Sequence, residues 1–153
     1  MTTTWKTDAL WIGLSDAVGA LSGCLARDGI RLFGETAAQP PLSPPAWLFP
    51  IVWGILYALM GVSAARIAST DSKRGLNLFI SQLTVNFFWS LLFFNAGAYG
   101  FAALWLTLLW ILVFAMILVF WQSDRLSALL QIPYLLWLTF ALYLNVGVWY
   151  LNR

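Results

Sequence analysis

Charged side chains divide this chain of 153 residues into long apolar blocks. Residues 9 to 26 carry a single charge, Asp16, and residues 36 to 65, 75 to 123 and 126 to 152 carry none. A bilayer core of roughly 30 Å needs about 20 mostly apolar residues per helix, so each block reads as membrane-spanning. The 49-residue block is too long for one crossing. It divides at Asn95-Ala96-Gly97-Ala98-Tyr99-Gly100, where small residues, two glycines and an asparagine supply turn chemistry. The pattern therefore predicts an all-α integral membrane protein, a five-transmembrane-helix bundle in a single domain over 1–153. The spans fall at about 8–26, 46–67, 76–95, 99–122 and 127–150. A loop over about 27–45 ends in the stiff stretch Gln39-Pro40-Pro41-Leu42-Ser43-Pro44-Pro45. Trp47, Tyr99, Trp121, Trp149 and Tyr150 lie near span ends, as in interfacial aromatic belts.

Composition sharpens the picture. The chain is 61% hydrophobic, 17% aromatic and 9% charged, against about 25% charged in globular proteins. A net charge of +2 gives no extended field for a phosphate backbone, so nucleic acid is excluded as a partner, and the apolar content excludes disorder. With no histidine, the commonest general base and the commonest zinc and haem ligand are missing, and no metal site is expected. The single cysteine, Cys24, allows no internal disulfide, and no phosphate-binding glycine loop occurs. Leu21-Ser22-Gly23-Cys24 has the form of a lipoprotein cleavage signal, but Asp8 and Asp16 interrupt the hydrophobic run such a signal needs, which favours a retained first span.

An odd number of spans puts the termini on opposite sides. The N-terminal side gathers Lys6, Arg66, Lys73, Arg74 and Arg125, the other Arg27, Arg31 and Arg153, so the positive-inside rule leans towards an inside N-terminus.

Polar and aromatic residues then recur at helical spacing. Span three aligns Gln82, Asn86, Trp89 and Phe93; span two pairs Trp53 with Tyr57, followed by Gly61; span five aligns Trp137, Ala141, Leu144 and Asn145. One such stripe is ordinary packing. Three together suit a planar, mostly apolar ligand, with Tyr57, Asn86 and Asn145 as polar anchors. Asp16, about two turns into the first span, is either protonated, paired with Gln82 or Asn86, or reached by water, and a lone intramembrane carboxylate is by default a functional hypothesis. At the C-terminal end Leu144 or Val148, then Tyr150, then Arg153 satisfies a proposed cholesterol pattern that any belt-capped helix can meet by chance.

Pro44-Pro45, Pro50-Ile51-Val52-Trp53-Gly54-Ile55-Leu56-Tyr57-Ala58-Leu59-Met60-Gly61, Asn86-Phe87-Phe88-Trp89-Ser90-Leu91-Leu92-Phe93-Phe94, Pro133-Tyr134-Leu135-Leu136-Trp137 and Leu144-Asn145 together resemble the TspO/MBR family over about residues 40 to 150. The resemblance implies a five-helix bundle, often dimeric, whose pocket binds porphyrins such as protoporphyrin IX or haem, sterols and synthetic aromatic ligands, with no required cofactor. It implies a pocket lined by Trp53, Tyr57, Asn86, Trp89, Trp137, Ala141 and Leu144, with the first loop as lid and the C-terminal pattern associated with cholesterol. The chain departs from the family at Phe33-Gly34, at Leu42 and at Asp16. A binding protein for porphyrin is the reading these features favour; the alternatives are an enzyme for light-dependent porphyrin breakdown through Trp53 and Trp137, and a small-molecule transporter. The host membrane is a cell membrane in a bacterium or the mitochondrial outer membrane in a eukaryote.

Overall fold

A computed structural model of the chain describes residues 3–153, so the first two residues of the domain expected over 1–153 lie outside the described residues. Lipid offers backbone groups no hydrogen-bond partners, which forces each span to satisfy its own N–H and C=O groups as a helix. The described residues accordingly form α1 (Trp5–Thr36), α2 (Leu48–Ala68), α3 (Lys73–Ser90) with a π-helical turn at Leu91–Asn95, α4 (Tyr99–Ser123), α5 (Arg125–Leu130) and α6 (Ile132–Leu151). Five of these stretches are long and apolar enough to cross a membrane, α5 and α6 counting as one. The protein is an integral, multi-pass membrane protein, a five-helix bundle as its charge spacing indicates.

Two boundaries differ from the sequence reading, each for a local reason. The first helix does not stop near 26 but continues ten residues to Thr36, so the loop shrinks from 27–45 to the short link between α1 and α2. Arg27, Asp28, Arg31 and Glu35 mark where the chain leaves lipid; they do not end a helix, and no proline appears before Pro40. At 1.5 Å per residue, 32 residues reach roughly 48 Å, well beyond a hydrocarbon core. Pro133, which lacks an N–H, divides the last span: Gln131 caps α5 through its N–H to the Ala128 carbonyl, and its own carbonyl receives the Leu135 N–H. The π turn closes through Ala96 N–H to Leu91 O and Ala98 N–H to Leu92 O, and the chain reverses at Gly97, whose φ is +60°.

Helix α1 lies along α2, α3 along α4, and α4 along α6, while α5 docks on α2 and α4. Gly61 allows the close approach of α1 to α2, because a Cβ there would strike the backbone of Ile12. Met60, Phe79, Leu106, Leu109, Met116, Phe120 and Leu138 fill the interior, and large apolar side chains such as Leu104 and Leu136 face outward, as a lipid-solvated surface requires. By contrast, α6 hardly approaches α2 or α3 by backbone. Side chains bridge the space between them.

One polar clasp holds α2 to α5 at the end of the bundle that carries Lys73, Arg74 and Arg125. Arg66 donates from Nε (2.7 Å) and Nη2 (2.8 Å) to the two carboxylate oxygens of Asp124. Asp124 also caps α5 by accepting the Ser127 N–H at 3.0 Å, and Ser63 donates to the Ser127 carbonyl at 2.7 Å. Arg66 and the Ser127 donors hold the Asp124 carboxyl well below its ordinary value of 3.8. The folded protein thus binds this proton more weakly than the unfolded chain. Its stabilising contribution is complete above about pH 4 and is lost as pH falls below that. Asp124→Asn should lower the thermal unfolding midpoint at pH 7, at a cost of about 1–2 kcal/mol for this half-shielded pair, and the difference from wild type should shrink in melts recorded towards pH 3.

Candidate functional site

The stripes expected on α2, α3 and α6 do converge, but as two adjoining clusters and not as one lined hollow. In the first, Trp53 lies 5.6 Å from Tyr57 and 6.2 Å from Tyr134, centroid to centroid. The amide of Asn86 donates to the Tyr134 hydroxyl at 2.9 Å, which in turn donates to Gln82 Oε1 at 2.9 Å; Gln82 reaches the Met60 sulfur through Nε2 at 3.8 Å. Trp137 extends this cluster along α6, edge-on to Phe49 at 5.8 Å and tilted against Phe140 at 5.7 Å. Its buried indole N–H has no hydrogen-bond partner.

The second cluster sits nearer the Tyr99 end of the bundle. Trp89 stacks on Phe93 at 5.3 Å, and Phe93 meets Phe94 at 4.8 Å, Tyr99 at 5.0 Å and Phe33 at 5.2 Å. The Trp89 indole donates to Asn145 Oδ1 at 3.0 Å, and the Asn145 amide donates to the Tyr99 carbonyl at 2.8 Å. Phe93 and Tyr99 thus pack within one ring cluster at the start of α4. Ala141 is buried and Leu144 half-buried on α6, on the stretch that links the two groups.

Both asparagines expected to anchor a ligand already have partners inside the protein. The reason is the medium: an unpaired amide in a bundle core costs about 1–3 kcal/mol, so the closed site satisfies its polar groups across helices. Two outward grooves, of about 510 Å3 beside Leu92, Asn95 and Trp105 and about 630 Å3 beside Pro40, Tyr143 and Tyr150, are not lined by Trp53, Tyr57, Asn86 or Trp137.

The pairing considered for Asp16 does not form, since Gln82 and Asn86 are engaged elsewhere. Asp16 instead lies one turn before Gly19 on α1. The Tyr57 ring rests where a Cβ of Gly19 would be, which makes glycine necessary there.

Pro44 and Pro45 lead into α2, Pro45 accepting the Leu48 N–H, and the loop reaches α6 through earlier residues. The Asn152 side chain accepts from Ala38 N–H at 2.9 Å and donates to Ala38 O at 2.8 Å, Tyr143 donates to Pro41 O at 2.8 Å, and Pro40 packs on Gly147. Leu42 takes a left-handed φ of 68°, uncommon for a leucine, at the turn of this link. Of the residues in the C-terminal sterol pattern, Val148 is buried and Leu144 half-buried, whereas Tyr150 is exposed beneath the Arg153 guanidinium at 4.3 Å. Two residues apart on a helix means a turn of about 200°, which puts Val148 and Tyr150 on different faces.

Sequence reasoning missed Tyr134, Phe49, Phe33 and Gln131. Tyr134 was legible, being three residues before Trp137 on the same face. Phe33 was hidden by its assignment to a loop. Gln131 is fully buried with neither side-chain polar atom bonded, and its place at the α5–α6 break gave no periodic signal.

Comparison with known proteins places these features in a lineage. A family model described as the TspO/MBR family matches residues 11–151. Among similar proteins, Protein CrtK of Rhodobacter capsulatus is 40% identical over 123 residues, covering 77% of each chain. The tryptophan-rich protein TspO of Chlorobaculum tepidum is 36% identical over 151 residues, 95% of this chain and 96% of the relative. The human translocator protein is 30% identical over 149 residues, 92% of this chain and 88% of the relative.

Two outcomes are expected from this geometry. Tyr134→Phe strands Asn86 and Gln82 together and should lower the detergent melting midpoint by an amount corresponding to about 1–3 kcal/mol. Asn152→Ala should release the α1–α2 link, seen as faster amide exchange at Ala38 with the exchange of α3 and α4 unchanged.

Proposed function

The chain belongs to the TspO/MBR family, and from that premise we propose that it is a membrane receptor that takes up a planar hydrophobic molecule, of which a metal-free porphyrin such as protoporphyrin IX is the type, between α2, α3 and α6. The observation that carries this reading is that α6 faces α2 and α3 through rings and amides and hardly at all through backbone. Side chains can swing aside to admit a flat ligand, where a helix–helix backbone contact could not. Trp53 and Trp137, both half-buried, would form the aromatic walls, and the Trp137 N–H has no hydrogen-bond partner of its own. Tyr57, Asn86, Trp89, Ala141, Leu144 and Asn145 complete the lining once their mutual bonds yield.

Binding by burial fits the chemistry present. Covering an apolar macrocycle face yields about 25 cal/mol per Å2, from which the separation of the Asn86–Tyr134 and Trp89–Asn145 pairs and the loss of ligand freedom must be deducted. Micromolar affinity is the natural result. The absence of histidine from the sequence favours a free-base porphyrin, or haem held by its faces, over strong axial ligation. The docked α1–α2 link acts as a cover attached to α6, and the excess of Lys and Arg at the N-terminal end orients that end inwards.

The test is titration of protoporphyrin IX into detergent-solubilised protein in the dark, read by tryptophan quenching. Saturable quenching is expected in wild type, with at least tenfold weaker binding in Trp53→Ala and Trp137→Ala; unchanged affinity in both variants would place the site elsewhere. Repeating the titration under illumination separates a receptor from a porphyrin-degrading enzyme. A receptor leaves the porphyrin spectrum intact, whereas a new product spectrum that Trp137→Phe abolishes with binding retained would make it an enzyme.

A further inference from the structure

Of the four acidic residues on α1, Asp8, Asp16, Asp28 and Glu35, Asp16 lies nearest the middle of the span. It is half-buried, and among the described residues it forms no hydrogen bond and no ion pair. Its place is informative. Residues i and i+3 on a helix are neighbours about 5–6 Å apart, so the Asp16 side chain stands beside Gly19, and the hydroxyl-bearing edge of Tyr57 lies directly over Gly19. Tyr57 in turn lies tilted against Trp53, with ring centroids 5.6 Å apart. The carboxylate is therefore one side chain away from the aromatic wall, at the seam between α1 and α2.

An isolated carboxylate at this depth is costly in its charged form, and the bundle supplies no cation to offset it: Arg66 is engaged by Asp124, and the other basic residues lie towards the helix ends. A ligand that brought positive charge to the α1–α2 seam would provide the missing partner, whereas one that brought a carboxylate there would meet like charge at low dielectric.

We propose that Asp16 sets the charge preference of the ligand site, favouring planar apolar molecules with a protonated nitrogen on the edge that reaches Tyr57 and disfavouring those with a carboxylate on that edge. The inference rests on the binding reading above and goes beyond it, because it assigns a discriminating role to a residue outside the aromatic lining.

Two ligands with one macrocycle test it: protoporphyrin IX with its two propionates, and its diamide bearing terminal dimethylamino groups, which are cationic at pH 7. Affinities are measured by tryptophan quenching in the full-length, detergent-solubilised protein as wild type, Asp16→Asn, Asp16→Glu and Asp28→Asn. Asp28 lies on the same helix but is exposed beyond the span, so its variant controls for net charge. Asp16→Asn should weaken the cationic ligand and strengthen the dicarboxylate, changing their affinity ratio by about tenfold or more, while Asp16→Glu and Asp28→Asn keep the wild-type ratio. Asp16→Asn with an unchanged ratio, or with equal weakening of both ligands, overturns the inference while the binding reading stands. Failure of both ligands to quench wild-type protein overturns the binding reading itself, and binding of the dicarboxylate alone overturns the inference.

Discussion

Everything in this bundle depends on a constraint that lipid imposes: a polar side chain that turns inward finds no water and must find a partner on another helix. Between apolar helices in lipid there is little hydrophobic drive to associate, so packing and such bonds set the arrangement. The Gln82–Tyr134–Asn86 series fixes α3 against α6 near the middle, the Trp89–Asn145 bond to the Tyr99 carbonyl fixes them again further along, and the Arg66–Asp124 clasp locks α2 to α5 at the charged end. The register of three helices is thereby set at three heights by a few directional contacts. Between those heights the fit is made by rings.

On the binding reading proposed above, ligand uptake and stability draw on the same groups. On that reading, a molecule entering between α2 and α6 would have to separate aromatic pairs and replace internal hydrogen bonds with its own. The site's selectivity would follow from what a ligand can replace. A flat apolar face substitutes readily for a neighbouring indole or phenyl ring, whereas a compact polar solute offers nothing that compensates the broken contacts. Trp137 is the exception among these groups, since its N–H gives up no partner when a ligand arrives.

The number of spans, their helical character and the family were legible in the sequence because charge spacing and motif order report them directly. The end of α1 was not, because Arg27 to Glu35 record exit from the bilayer and a helix can cross that boundary without a break. The convergence of Trp53, Tyr57, Asn86 and Trp137 was visible in helical spacing, and Tyr134 could have been added from the same face. Spacing along one helix, however, does not show how amides on different helices pair. Asn86 and Asn145 therefore read as anchors of a single pocket, while folding gave each its own partner.

The π turn at Leu91–Asn95 gives the end of α3 one residue more than an α-helix would use over the same rise. That extra residue advances everything after it by about a quarter of a revolution, which is how Phe93 and Phe94 both reach the ring cluster and how Asn95 comes to grip the Leu25 carbonyl of α1. Deleting a single residue within the turn would let the helix relax into ordinary winding while uncoupling its tip from α1. The segment thus behaves as a vernier: it adjusts the azimuth of the bundle's far rim without disturbing the hydrogen-bonded middle.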